Sequence, residues 1–402
     1  MRALLLENLH PLASSILTEA GIEVETHRGA LTEDELIARL QDVDLLGIRS
    51  KTEVTARVLD ARPDLVAIGA FCIGTNQIDL PAATRHGIAA FNAPYSNTRS
   101  VVELAVANII AMARRLTERD KALHAGVWDK SAEGSHEIRG RTLGIVGYGN
   151  IGSQLSVVAE MLGMQVYFYD IHEKLAVGNA RQCSSLEELL DTVETVTLHV
   201  DGRAGNAGIF GPDQLARMRP RSLFLNLSRG FVVDYDALRD ALVSGHLAGA
   251  AVDVFPVEPK TRGDAFDSPL RGLPNVILTP HVGGSTEEAQ EDIGRFVGTK
   301  LREYVRTGST TLSVNLPTLS PEQPTANGRP TQRVAHIHQN TPGVLAHLNQ
   351  VFAEHDVNIG GQVLATRGQT GYVVTDAGSP LSPSVVAALR AVPETIRLRV
   401  IG

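Results

Sequence analysis

The stretch Leu143-Gly144-Ile145-Val146-Gly147-Tyr148-Gly149-Asn150-Ile151-Gly152 decides the fold. A short apolar run opens it, three glycines follow in the order G-x-G-x-x-G, and an apolar-periodic segment continues from 151 to 162. That order spells strand, tight turn and helix. Asp170 then closes the next apolar run, 166–169, 18 residues beyond Gly152. Strand, glycine turn, helix and acid in this register form the fingerprint of a dinucleotide-binding βαβ unit. Gly147 permits the tight turn, Gly149 lets backbone approach a pyrophosphate, and Gly152 allows the helix to pack closely on the strand. Asn150 and Ile151 open the helix, whose free N–H groups and positive dipole end face the phosphates. Asp170 can accept both adenosine ribose hydroxyls and repels a 2′-phosphate. Ile171, His172 and Glu173 provide no arginine to receive one, so the expected cofactor is NAD rather than NADP.

Outward from this unit, short apolar runs alternate with helical patterns on both sides, the signature of a parallel sheet flanked by helices. Before it, 2–6, 22–26, 45–48 and 65–69 read as strands, with helices at 11–20, 32–40, 55–61 and 80–86. A single long helix is expected over 100–123. After it, strands are expected at 142–146, 165–169, 195–199, 222–226, 248–253 and 276–279, and a helix at 286–306. Between 307 and 333 the composition shifts to Pro317, Pro321, Pro324 and Pro330 among Ser, Thr and Asn, as in an extended linker. The tail reads strand 333–338, helix 344–355, strands 358–366 and 371–375, helix 383–391 and strand 395–400. This is the β-α-β-β-α-β order of a ferredoxin-like domain. The expected fold is therefore α/β, with two doubly wound parallel-sheet domains, Rossmann-like and flavodoxin-like, followed by a small ferredoxin-like one.

Bulk properties agree. The 402 residues suffice for two or three domains, and 43% apolar residues can fill their cores. A net charge of −8 argues against a nucleic-acid partner. Cys72 and Cys183 are too few for a disulfide framework, which points to a reducing compartment. The first residues lack the apolar core and cleavage site of a signal peptide, and no uncharged apolar run reaches the ~20 residues of a membrane span. A cytoplasmic protein with no membrane contact is expected, with no metal centre.

Three segments carry candidate chemistry: Asn226-Leu227-Ser228-Arg229-Gly230, Asp253-Val254-Phe255-Pro256-Val257-Glu258-Pro259 and Thr279-Pro280-His281-Val282-Gly283-Gly284. Each follows an expected strand, and in an open parallel sheet ligands bind beyond the carboxyl ends of the strands. Moving a hydride from a hydroxyl carbon to nicotinamide requires a proton acceptor for the hydroxyl. Histidine suits this, since its pKa of about 6.5 lies near neutrality. His281 is read as general acid/base, Glu258 as the carboxylate that orients it, and Arg229 as the clamp on the substrate carboxylate or carbonyl. Asp253 is expected beside the nicotinamide. Leu227, Ser228, Arg229, His281, Val282, Gly283 and Gly284 complete the expected cofactor contacts.

These motifs resemble those of the D-2-hydroxyacid dehydrogenases. The match narrows at Phe71-Cys72-Ile73-Gly74-Thr75-Asn76-Gln77-Ile78-Asp79, at 91–100, at Gly126-Val127-Trp128 and at 281–290. There the sequence is similar to the short bacterial branch that oxidises 3-phosphoglycerate and is inhibited by serine. The resemblance implies a cofactor domain (98–283) inserted into a substrate domain (1–97 and 284–315), a linker (316–330), a regulatory ACT domain (331–402), and a homotetramer. It also implies oxidation of 3-phosphoglycerate to 3-phosphohydroxypyruvate at the start of serine synthesis, with reduction of 2-oxoglutarate as a side activity. Arg49, Ser50, Lys51 and Thr52 offer two cations and two hydroxyls to a phosphate, and the N–H groups of Ile73 and Gly74 would meet the substrate carboxylate. Asn97 and Arg28 are weaker candidates. The sequence departs from its relatives at Lys51, commonly Arg, at Asp201, commonly Pro, and at Leu227, commonly a small residue. His336-Ile337-His338-Gln339-Asn340-Thr341-Pro342-Gly343 is similar to the start of an ACT domain, which makes His338, Asn340 and Asn358 the expected contacts of an L-serine effector bridging two chains. Hydroxypyruvate or glyoxylate reduction, or an NAD-binding sensor without turnover, are the alternative readings.

Overall fold

The computed structural model describes residues 1–259, 263–322 and 332–402. The chain forms two compact units, one of residues 1–96 and 290–402 and the other of 97–289.

The first unit opens with five parallel strands: β1 (Arg2–Leu5), β2 (Glu23–Thr26), β3 (Leu45–Ile48), β4 (Ala67–Ala70) and β5 (Ala89–Phe91). Their order is β2-β1-β3-β4-β5, the flavodoxin-like arrangement. β3, β4 and β5 are buried along their whole length because apolar clusters cover both faces of the sheet. β5 is absent from the sequence reading. Three residues, two of them alanine, give too weak a signal, and the strand exists because β4 pairs with it.

The second unit is a seven-stranded parallel sheet: β6 (Thr142–Val146), β7 (Gln165–Tyr169), β8 (Arg181–Gln182), β9 (Thr195–Leu198), β10 (Ser222–Asn226), β11 (Leu247–Val252) and β12 (Val276–Leu278). The order β12-β11-β10-β9-β6-β7-β8 reverses direction between β6 and β9. The carboxyl ends of the strands at such a reversal are the usual ligand position of these sheets. The expected single helix over 100–123 is two helices, Thr98–Ala113 and Leu116–His124. Arg115 breaks it in a left-handed conformation (φ 52°), and its guanidinium bonds Glu118 and the Glu133 carbonyl. The first helix buries an apolar face and the second buries no residue, so tertiary packing sets the break where no proline or glycine signals it.

In the tail, β13 (Gln332–Gln339), β14 (Ile359–Arg367), β15 (Thr370–Ala377) and β16 (Thr395–Ile401) form an antiparallel sheet of order β14-β15-β13-β16. Helices Val344–Glu354 and Pro383–Arg390 cover one face, and Val334, Val373 and Leu398 point into that core. The other face meets the first unit's own core: Ala335, Ile337, Tyr372 and Val374 cluster with Phe91 and Tyr304. Arg397 donates to the carbonyls of Leu65 (2.6 Å) and His86 (3.0 Å), and Tyr372 Oη to that of Gly308 (2.6 Å).

The proline-containing stretch read as linker is anchored as far as it is described. Thr310, Leu316 and Leu319 are buried, and Asn315 bonds the backbone of Ala90 and Ile88. Buried Leu316 and Leu319, on either side of Pro317, help fix it and are invisible to a reading by composition. Residues 323–331, including Pro324, Pro330 and the expected start of the tail domain, lie outside the described residues. No helix among the described residues is long and apolar enough to cross a membrane.

Candidate active site

The glycine loop follows β6 at the switch point. Gly147 has φ +92°, and a Cβ there would lie 2.7 Å from the His199 carbonyl oxygen. At Gly152 a Cβ would collide with the Gly147 carbonyl, which fixes the close approach of helix Asn150–Met161 to the strand. A Cβ at Gly149 would meet nothing within 4 Å, so that side of the loop is open to a pyrophosphate at the helix's N-terminus. Asp170 accepts the N–H groups of Tyr148 (2.8 Å) and His172 (3.0 Å), tying the end of β7 to the glycine loop. These residues fit a bound NAD: the turn, the open approach and the acid are those a dinucleotide requires.

Past β10, the buried Asn226 builds the Leu227–Gly230 loop. Its Oδ1 accepts from the N–H (3.1 Å) and Oγ (2.8 Å) of Ser228, and its Nδ2 donates to the Arg229 carbonyl (3.0 Å). Gly230 lies flush against the Phe255–Pro256 backbone, where a Cβ could not fit. Arg229 Nη1 donates to the Ser228 carbonyl (2.7 Å), which sets the direction of the guanidinium. Leu227 is nearly buried.

The loops after β11 and β12 converge. Glu258 Oε2 lies 2.8 Å from His281 Nδ1, and Glu258 Oε1 accepts the Phe255 N–H (3.0 Å). Burial alone would push the Glu258 carboxyl up, but its bonds to His281 and Phe255 and the charges of His281 and Arg229 bring it below its ordinary value. The same hydrogen bond raises the pKa of His281, against burial and the charge of Arg229. His281 sits at φ +54°, a left-handed conformation uncommon for a residue with a side chain. Asp253 holds it there. The buried carboxylate accepts the N–H groups of Val282 (2.9 Å) and Gly283 (2.8 Å) and the Thr279 hydroxyl (2.6 Å). Asp253, expected beside the nicotinamide, thus spends both oxygens on the loop that presents His281. Gly284 packs against the Asn97 side chain.

Two further residues lie beside the site, of which the sequence reading singled out only Asp201. His199, just past β9, is buried, and burial pushes its pKa down to about 4, so it stays neutral. Asp201, one of the departures, accepts from Arg203 Nε (2.7 Å) and Asn206 Nδ2 (2.9 Å), which makes an ion-paired turn there.

The first unit carries the proposed anion loop. Glu7, nearly buried, gathers four successive backbone N–H groups: Arg49 (3.2 Å) and Thr52 (2.8 Å) on Oε1, Ser50 (3.1 Å) and Lys51 (3.0 Å) on Oε2. No sequence signal links Glu7 to a loop more than forty residues away. Thr52 is fully buried, so of the two expected hydroxyls only that of Ser50 is exposed; the side chain of Thr52 turns inward as the loop closes on Glu7. The carbonyls of Ile73 and Gly74 are held by Asn92 Nδ2 (2.6 Å) and Gln77 Nε2 (3.3 Å), while their N–H groups donate to no group among the described residues.

In the tail, His338 is buried with Nδ1 on the Gln339 carbonyl (2.8 Å), and its Nε2 has no partner among the described residues. Asn340 Nδ2 donates to the Gly368 carbonyl (3.0 Å). Asn358 is exposed and precedes β14, whose first residue pairs with Ala377 on β15. His338 pairs with Gly371 at the other end of β15. The six residue steps between those rows amount to roughly 20 Å of strand, so one chain does not bring Asn358 to His338 and Asn340.

The NAD-binding domain of the D-isomer-specific 2-hydroxyacid dehydrogenases matches residues 106–283, and an AHAS small subunit-like ACT domain matches 334–397. The chain belongs to the D-isomer-specific 2-hydroxyacid dehydrogenases, as an NAD-dependent oxidoreductase with an ACT-type tail. Its similarity runs full length to D-3-phosphoglycerate dehydrogenase of Escherichia coli (strain K12), 49% identical over the whole chain and 97% of that protein. The D-3-phosphoglycerate dehydrogenase of Dictyostelium discoideum is 44% identical over the whole chain and 97% of its own length. Among solved structures, the TT0316 protein from Thermus thermophilus aligns with a TM-score of 0.68 at 32% identity, covering 75% of this chain and 96% of that one. D-lactate dehydrogenase from Aquifex aeolicus, complexed with NAD and lactic acid, aligns at 0.66 and 25% identity, covering 75% and 95%.

Proposed function

We propose that the protein oxidises 3-phospho-D-glycerate to 3-phosphohydroxypyruvate with NAD, the entry step of L-serine synthesis in the cytoplasm. The observation that carries the reading is the His281–Glu258 pair beside Arg229, downstream of an intact dinucleotide loop. The names of the full-length relatives support the substrate. Bound NAD supplies the hydride acceptor. With Nδ1 engaged by Glu258, His281 offers Nε2 to the substrate hydroxyl and takes its proton as the carbonyl forms. Glu258 stabilises the imidazolium so produced. Arg229 holds the carboxylate and polarises the nascent carbonyl through its fork of donors. Gly147, Gly149, Asn150, Ile151, Gly152 and Asp170 hold the adenosine diphosphate half of the cofactor. Leu227, Ser228, Val282, Gly283 and Gly284 line the nicotinamide half. Arg49, Ser50 and Lys51 take the phosphate, and Ile73, Gly74 and Asn97 take the carboxylate end. The domain boundaries of the inserted arrangement follow, with 98–283 as cofactor domain.

The tail is proposed to sense L-serine through His338 and Asn340 of one chain and Asn358 of a second copy, within a homotetramer; the separation of these residues on one chain supports a site shared between chains. Reduction of 2-oxoglutarate is a side activity of the same centre. The test is NAD-linked turnover with 3-phosphoglycerate beside an unphosphorylated 2-hydroxy acid. Strong preference for the phosphorylated acid is expected in the wild type, and His281→Asn should lower kcat by ~10² or more while NAD still binds. Equal turnover of both acids, or wild-type rate in His281→Asn, defeats the reading.

A further inference from the structure

An open cavity of about 560 Å³ lies in the first unit, at the seam between the tail sheet and the C-terminal end of helix Glu287–Thr307. Arg306, Arg333, Arg390 and Arg399 line it in a chain of net charge −8; the lining holds no aspartate or glutamate side chain, and its other two charged groups, at Met1 and Gly402, are one of each sign. Arg333 is buried and neutralised by Asp376 at 2.6 Å. The other three make no ion pair among the described residues. Arg399 Cζ lies over the Tyr304 ring, 4.5 Å from its centroid, and the side chain donates to the Val305 carbonyl (3.3 Å), so its charge is held in place without being compensated. Arg306 lies in the last turn of its helix and Arg390 ends helix Pro383–Arg390; both are exposed. Gathering three uncompensated guanidinium groups in one concavity costs repulsion that a bound anion relieves, and their planar forks match phosphate oxygens two at a time. Leu398 and Val305 add apolar wall, and the volume lies in the range of small-ligand sites.

We propose that this cavity binds a small phosphate-bearing anion with two or more negative charges, which Arg306, Arg390 and Arg399 hold across the seam between tail and lobe. The site is separate from the proposed chemistry, shares no residue with it, and stands whether or not the substrate assignment does.

Calorimetric titration of the full-length protein, saturated with NADH to fill the cofactor site, tests it with inorganic pyrophosphate and with ADP as probes. The tighter of the two distinguishes an inorganic from an organic ligand. Wild type and Arg49→Ala should bind the preferred probe equally well. The double variant Arg306→Gln/Arg390→Gln should bind it at least tenfold more weakly with kcat unchanged, a rate that also certifies its fold. Unchanged affinity in the double variant, loss of binding in Arg49→Ala, or no binding of either probe to wild type overturns the proposal.

Discussion

At the scale of single residues, the proposed acid–base centre makes a signed prediction. Glu258 raises the pKa of His281 chiefly through its hydrogen bond. Oxidation needs the imidazole neutral, so kcat/KM for the hydroxy acid should climb as pH rises through this raised value. Reduction of the keto acid needs it protonated, so that rate should fall over the same interval. Glu258→Gln removes the charge and weakens the bond. The rising limb of oxidation should move to lower pH, with a plateau ~10–100-fold lower from loss of orientation. A pH–rate profile whose limb does not move would remove Glu258 from the pair. Asp170 makes a second prediction. Its oxygens already hold two backbone N–H groups, yet a carboxylate accepts about four hydrogen bonds in all, which leaves capacity for ribose hydroxyls. Asp170→Ala should raise KM for NAD about tenfold and narrow the gap to NADP. A wild-type enzyme equally efficient with both cofactors would contradict this.

At the scale of elements, buried carboxylates act as staples for loops. Asp253 holds the loop after β12 and forces His281 into a left-handed conformation. Glu7 holds the 49–52 loop by four N–H groups. Because those amides are already spent on Glu7, any phosphate taken there meets side chains alone. Glu7→Gln puts an amide N–H against backbone N–H groups and leaves buried donors unpaired, at a cost of about 1–3 kcal/mol. A misplaced loop should raise KM for 3-phosphoglycerate by about tenfold, hardly change kcat, and lower Tm. An unaltered KM measured alongside a lowered Tm would make Glu7 purely structural.

At the scale of the whole molecule, the tail shares a core with the lobe that precedes it. Both faces of its inner strands β13 and β15 are covered, one by its own helices and the other by residues clustered with Phe91 and Tyr304, while the edge strand β14 is largely exposed. Inhibition by an effector requires it to prefer one conformational state, and a tail packed in this way gives tail movement a direct mechanical consequence for the lobe. Millimolar L-serine should suppress wild-type activity, while Asn340→Ala should abolish that response and spare the uninhibited rate. If wild-type activity ignores serine, the tail is an assembly domain.

The sequence by itself determined the two parallel sheets and the ferredoxin-like tail, and it named His281 and Glu258, which the structure brings together. Those features rest on local signals: hydrophobic period, the glycine spacing at 147–152, and single residues just past strand ends. Tertiary structure alone decided the break at Arg115, the pairing of the short β5, the anchoring of the proline-containing stretch, and the loops gathered by Asp253 and Glu7. In each of these the partner lies far along the chain or the stabilising contact is burial against another element. A buried carboxylate that satisfies distant backbone N–H groups leaves no periodicity to read. The arginine-lined cavity belongs to the same class: its four arginines are scattered over 94 residues, and only the packing of tail on lobe brings them together.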